Sequence, residues 1–99
     1  MDAQREELRL APWTSDEGKP CYLSTVPGGV LDGLADAVEA EQLADARSVL
    51  EHAREALSAT GRALSAREAI WIATRLTEST GEVLRVADSR GMRLGGDNR

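Results

Sequence analysis

Two stretches, residues 31–58 and 65–90, carry apolar side chains every three or four positions, and only six residues separate them. That period is the period of an α-helix with one dry face, so each stretch predicts a long amphipathic helix. A connector this short makes consecutive helices antiparallel neighbours, an αα-hairpin. Helix 1 is expected over residues 30–58. Its broad face collects Leu31, Leu34, Ala35, Val38, Ala46, Val49, Leu50, Ala53 and Leu57. Within it Leu43, Ala46, Leu50, Ala53 and Leu57 follow the 3-4-3-4 spacing of a bundle or coiled-coil seam. Helix 2 is expected over 65–90, with Ala69, Ala73, Leu76, Thr80, Val83 and Ala87 repeating 4-3-4-3-4 and Ile70, Ile72 and Leu84 beside them.

The helix ends are written locally. Pro27, Gly28 and Gly29 break the chain before helix 1, and Asp32 places negative charge in its first turn, where the macrodipole favours it. Thr60 and Gly61 supply a stop, with Gly61 suited to a left-handed C-terminal position. Ser65 and Glu68 form the S-x-x-E capping box, in which hydroxyl and carboxylate satisfy orphan amides reciprocally. Gly91 is the expected end of helix 2, and residues 95–99 the expected disordered tail.

Ahead of the helices, the polar residues 1–7 read as frayed. Leu8, Arg9, Leu10 and Ala11 then alternate as a strand, and Pro12, which has no N–H to donate, puts that strand at an edge or near its end. Residues 15–20 are dense in turn formers, and residues 21–26 offer a second strand. The prediction is a β-hairpin over 8–26 with Trp13 and Tyr22 as its large side chains, docked on the helices because an isolated hairpin is marginal in water. The fold class is mainly α (α+β), a single domain over 1–99: an N-terminal β-hairpin followed by a long antiparallel αα-hairpin, completed by dimerisation. Two Trp, one Tyr and no Phe leave few bulky side chains for a core, which is the reason to expect a second copy.

Charge narrows the function. The net charge is −5, which disfavours non-specific binding to phosphate backbones, so nucleic acid is not the expected partner. Residues 1–58 hold five basic and twelve acidic side chains, a net of −7, and residues 59–99 hold seven and five, a net of +2. The two halves therefore attract. Cys21 is the single cysteine, so the chain has no internal disulfide and a reducing cytoplasm is the expected compartment. Residues 1–10 lack the apolar stretch of a secretory signal. No apolar run approaches the ~20 residues that span a bilayer, and no membrane partner is expected.

Chemistry-bearing constellations are sparse. His52 is the only histidine, with Glu51 and Glu55 as ordinary helix-surface neighbours, and Cys21 lies in a strand with no companion motif. Neither suggests general-base or nucleophilic catalysis, and the expectation is a protein that is not an enzyme and takes no cofactor. One His and one Cys match no zinc spacing, and Glu39, Glu41, Asp45, Glu51 and Glu55 read as a solvated acidic helix face rather than cation ligands. Residues 64–68 resemble the opening of some helix-turn-helix domains, which would need a second turn near Thr77–Gly81. A dimeric DNA-binding regulator using 65–91 is therefore the alternative. Trp71 lies opposite the Ala73, Leu76 and Thr80 stripe, outside what the αα-hairpin alone covers, and reads as a contact for the β-hairpin or another chain.

The segments LRLAPWT (8–14), GKPCYLST (18–25) and LAD to EQL (34–43), with RLTE (75–78) and RVADSRG (85–91), resemble a group of small actinobacterial proteins of unassigned function. The resemblance spans most of the chain and implies a bacterial cytoplasmic origin. It transfers no active site. The expected function is a small cytoplasmic protein-interaction or regulatory protein that recognises itself, as a homodimer, and another protein. Its interface candidates are Trp13, Trp71, Leu43, Leu50, Leu57, Leu76 and Val83.

Overall fold

A computed structural model describes residues 5–58 and 63–96. Strand β1 (Glu7–Thr14) pairs antiparallel with β2 (Pro20–Thr25) through a tight connection. The Gly18 amide donates to the Ser15 carbonyl at 2.9 Å, and Ser15 donates to the Lys19 carbonyl at 2.9 Å. Gly18 takes the left-handed conformation (φ 79°). This is a three-residue loop in which a glycine bulge follows a tight turn, restoring strand twist where a β-carbon would be strained. The Ser15 hydroxyl accepts from the Glu17 and Lys19 amides and holds the loop from inside.

Pro12 shapes β1 more than its missing donor alone predicts. The register runs from Glu7↔Thr25 to Leu10↔Tyr22 and resumes at Thr14↔Pro20. Three β1 residues (Ala11, Pro12 and Trp13) thus stand against the single β2 residue Cys21. This bulge interrupts the in-out alternation, and Arg9, Leu10, Ala11 and Pro12 are all buried in succession. Carbonyls freed from the ladder turn to the helices. Pro12 O accepts from Gln42 Nε2 at 2.6 Å, and Leu10 O accepts from the Ser89 hydroxyl at 3.3 Å. The sheet docks on the helices as expected, through residues 9–12. Trp13 and Tyr22 are left at 36% and 53% exposure.

Pro27 and Gly28 fill the central positions of a β-turn closed by the Gly29 amide on the Val26 carbonyl at 2.7 Å, with Gly28 at φ 79°. Proline then left-handed glycine is the type II signature. A β-carbon on Gly29 would stand 2.9 Å from that same carbonyl oxygen, so the position has no room for one. Helix α1 (Val30–Ser58) follows, and Asp32 reaches back to the Gly28 amide at 3.0 Å.

Helix α2 (Ala66–Gly96) begins at the capping box: Glu68 N–H donates to Ser65 Oγ at 3.1 Å, and Ser65 N–H donates to Glu68 Oε1 at 3.0 Å. The helix continues without a break through Thr77–Gly81, so the second turn of a helix-turn-helix does not form there. Gly91 does not end it either. Met92, Arg93 and Leu94 extend the helix because Arg93 has partners to reach, Ser89 Oγ at 2.6 Å and Glu39 Oε1 at 3.6 Å. Of the expected tail, Gly95 and Gly96 are helical, and 97–99 lie outside the described residues, as do Gly61 and residues 1–4; of the stretch 1–7 expected to fray, Glu7 already belongs to β1.

The molecule is an elongated hairpin of two helices with the sheet packed across its open end, against the N-terminal half of α1 and the C-terminal half of α2. Its extents are 65 × 26 × 24 Å and its radius of gyration 17.6 Å, against about 13 Å for a compact domain of this length. The core is correspondingly thin. Its buried apolar residues are Leu10, Ala11, Ala35, Ala53, Ile72 and Val86, half of them alanine, alongside buried Arg9, Thr25, Glu39, Ser79 and Ser89.

Candidate interaction surface

On α1 the residues turned toward α2 and the sheet are Ala35, Glu39, Gln42, Ala46, Val49, Ala53 and Ala56, a continuous 4-3 repeat. This seam lies one position before the leucines, so the expected seam is corrected. Ala46 and Ala53 belong to it, while Leu43 is half-buried beside it and Leu50 and Leu57 are 43% and 67% exposed. Leu31 and Leu34, counted in the expected face, are about half exposed as well.

The correction on α2 is larger. The inward positions are Ile72, Ser79, Val86 and Ser89, buried, with Glu68, Arg75, Glu82 and Arg93 half-buried between them. At 100° per residue this seam is rotated by about 100° from the predicted stripe. Of that stripe, Ala69, Ala73, Thr80 and Ala87 are exposed and only Leu76 and Val83 are half-buried. The inward face was chosen by polar partners rather than by hydrophobicity.

Those partners form a six-residue charge cluster under the sheet. Arg9, 3% exposed, donates from NH1 to Asp32 Oδ1 at 2.5 Å and to the Asp32 carbonyl at 3.0 Å, and from NH2 to Asp36 Oδ1 at 2.8 Å. Its NH2 also lies 3.2 Å from Glu39 Oε2, and Glu39 Oε1 lies 3.7 Å from Arg90 and 3.6 Å from Arg93. Glu39 is 1% exposed. The acidic helix face expected over 39–55 is therefore not uniformly solvated, because its first member is the most enclosed of the three carboxylates in this cluster. Burial pulls the Arg9 pKa down, but its hydrogen bonds to Asp36, Asp32 and Glu39 outweigh it and hold the pKa above its ordinary value. The Gly28 amide, followed by Arg9, lowers the Asp32 pKa against the opposing effect of burial. Three cations meet three anions here without a nucleophile among them. The cluster anchors the sheet to both helices, and its chemistry is structural.

Once α2 is turned this way, its stripe from Ala69 to Ala87 becomes outer surface. Ala69, Ala73, Leu76, Thr80, Val83 and Ala87, with Leu84 beside them at 59% exposure, contain no charge. Leu50 of α1 faces the same side. Together Ala46, Leu50, Leu76, Ser79, Thr80, Val83 and Leu84 line an apolar groove of about 220 Å³. Five interface candidates (Leu43, Leu50, Leu57, Leu76 and Val83) follow this side of the hairpin by their spacing, and three of them line the groove.

The opposite side carries an ion-pair group and an aromatic pair. Arg75 bridges Asp45 at 3.1 Å and Glu78 at 2.9 Å, and those hydrogen bonds, Glu78 first, raise its pKa. Trp71 meets His52 edge to face, ring centroids 5.4 Å apart and planes at 78°. The β-hairpin sits at the other end of the helices and does not cover Trp71. The rotated seam brings Trp71 to the margin of the α1 contact, so α1 shields it in part and 52% remains exposed. With Glu55, Ala56, Arg67, Glu68 and Ile72, the two rings line a cavity of about 530 Å³. Trp13 lies in the β1 bulge, 36% exposed, and lines neither the groove nor this cavity. Cys21 is half-buried in β2, whereas His52 belongs to the Trp71 end of the hairpin. Among the described residues no group of three or more His, Cys, Asp or Glu is arranged to hold a metal ion, and no helix is long and apolar enough to cross a membrane.

The groove was hidden from periodicity because both candidate faces of α2 carry a 4-3 repeat, and only the long-range contacts of Arg9, Gln42, Ser89 and Arg93 distinguish them. No family model, curated protein or solved structure matches this chain, so its functional reading rests on this geometry.

Proposed function

We propose that this chain is a small cytoplasmic interaction or regulatory protein that acts by surface recognition through the open face of its helical hairpin. The observation that carries the reading is the uncharged α2 stripe beside Leu50, left outside when the helices pack on each other. Contiguous apolar surface rimmed by charge marks a contact site, whereas scattered exposed leucines mean little. The thin core supports the same reading, since a face that stabilises a complex need not be used within the chain. Binding rather than catalysis fits the separation of Cys21 from His52 and a charge cluster committed to holding the sheet. The single cysteine fits a reducing cytoplasm.

The test is site-specific photo-crosslinking in the cells that make the protein. A photoreactive residue replacing Thr80 captures a partner on irradiation, and the same residue replacing Glu78, on the opposite side, does not. Equal yield from both positions, or none from Thr80, refutes the proposal.

A further inference from the structure

We infer that the occupant of the open face is a second copy of this chain, with the two α2 helices packed antiparallel about a two-fold axis. The inference rests on the reading of that face as a recognition surface, and adds the identity of the partner.

Self-complementarity carries it. The spacing 4-3-4-3-4 reads the same in both directions, so an antiparallel two-fold maps the stripe onto itself. The layers that result set Ala69 opposite Ala87 of the partner subunit, Ala73 opposite Val83 of the partner subunit, and Leu76 opposite Thr80 of the partner subunit. Every layer beyond the alanine pair joins a larger side chain to a smaller one, the alternation that lets facing helices interdigitate without voids. No layer buries a charge. Such a contact is isologous and closes at two copies.

Area agrees. The chain exposes 7300 Å², whereas a compact 10.6 kDa protein exposes about 5,500 Å². The excess is about twice the ~800 Å² that each partner buries in an interface of standard size. From Ala69 to Ala87 the stripe runs about 27 Å at 1.5 Å per residue, and two helices side by side give it a width of about 20 Å. That footprint suits a standard interface and is far larger than a small ligand requires. Four helices then enclose Leu50, Leu76, Val83 and Leu84, forming the layered core that two helices alone do not provide.

Sedimentation equilibrium and light scattering from micromolar to near-millimolar protein test this, with Thr80→Glu and Leu84→Glu as variants. Both positions are exposed in the single chain, so neither substitution disturbs its own fold, and unchanged far-UV circular dichroism verifies that. The expected result is a dimer of twice 10.6 kDa whose dissociation constant rises about a hundredfold or more in either variant, because each would bury an unpaired carboxylate at the contact. Geometry is read separately in Cys21→Ser chains. A mixture of Leu76→Cys and Thr80→Cys chains yields the mixed disulfide in preference to either symmetric one. A monomer at every concentration, a dimer unaffected by both carboxylates, or symmetric disulfides only would overturn the inference. A monomer whose photoreactive Thr80 position still captures a different protein overturns the second copy alone and leaves the recognition surface standing.

Discussion

Replacing Arg9 with methionine should destabilise the chain by about 3–5 kcal/mol, and most of that loss should come through Glu39. Arg9 serves three carboxylates that differ in what they lose. Asp36 has 63% of its side chain exposed and recovers water, so its pair contributes a few tenths of a kcal/mol. Asp32 keeps the Gly28 amide and forfeits roughly 1 kcal/mol. Glu39 is 1% exposed and is left with only Arg90 and Arg93, at 3.7 and 3.6 Å. A buried carboxylate that loses its nearest cation bears most of its desolvation cost uncompensated. Methionine roughly fills the aliphatic volume, which keeps cavity formation out of the comparison.

The measurement is urea unfolding followed by far-UV circular dichroism, at one protein concentration throughout because association adds to apparent stability. A double-mutant cycle isolates the pair: in a Glu39→Met background, Arg9→Met should cost only about 1 kcal/mol, a coupling of about 2–4 kcal/mol. A single-variant cost below ~1 kcal/mol, or a coupling near zero, would refute the assignment of Glu39 as the dependent group.

Ser79→Ala should raise stability by about 0.5–2 kcal/mol, since the Ser79 hydroxyl is buried without a hydrogen-bond partner and alanine favours the helix; a loss in urea unfolding contradicts this. Gly29→Ala should destabilise by about 1–3 kcal/mol because its β-carbon would meet the Val26 carbonyl oxygen at 2.9 Å. Gly33→Ala, in the first turn of α1 with nothing within 4 Å, should instead gain about 0.5 kcal/mol, and thermal melts of the two variants should move in opposite directions. The Asp32 carboxyl has a lowered pKa in the folded chain, so its contribution is present at neutral pH and is lost as pH falls below about 4, through that lowered value. The stability gap between the native chain and Asp32→Asn should thus stay constant above about pH 5 and close in acid; a gap that widens in acid reverses the sign of the argument.

Much of the fold is legible in the residues because it is locally encoded. The Ser65 and Glu68 box, the Pro27 and Gly28 turn and the Gly18 loop are each specified within a few positions, and the two helical periods need no knowledge of what they pack against. The orientation of α2 about its own axis is not local. Leu76 and Val83 make the predicted stripe the more hydrophobic one, yet Ile72, Ser79, Val86 and Ser89 face inward because Ser89 meets Leu10 O and Arg93 meets Glu39, across separations of 79 and 54 residues. Arg9 reads as the outward residue of an alternating strand, yet it is buried opposite Leu23 in the regular part of the ladder while Leu8 is 78% exposed, because the carboxylates that hold it belong to α1. Leu50, Leu76 and Val83, read from their spacing as stripe members and interface candidates, line the outer groove rather than the contact between the two helices.

The sheet across the open end of the hairpin sets an order of events as the chain leaves the ribosome. The β-hairpin is synthesised before the helices and α1 follows it, but the α2 residues that meet Leu10, Ser89 among them, come after both. Until those residues appear, β1 displays its apolar row and Arg9 has only the α1 carboxylates for company. The sheet is thus sealed only after both helices are made, and exposure of β1 in that interval leaves a nascent copy open to capture by a chaperone or a neighbouring chain.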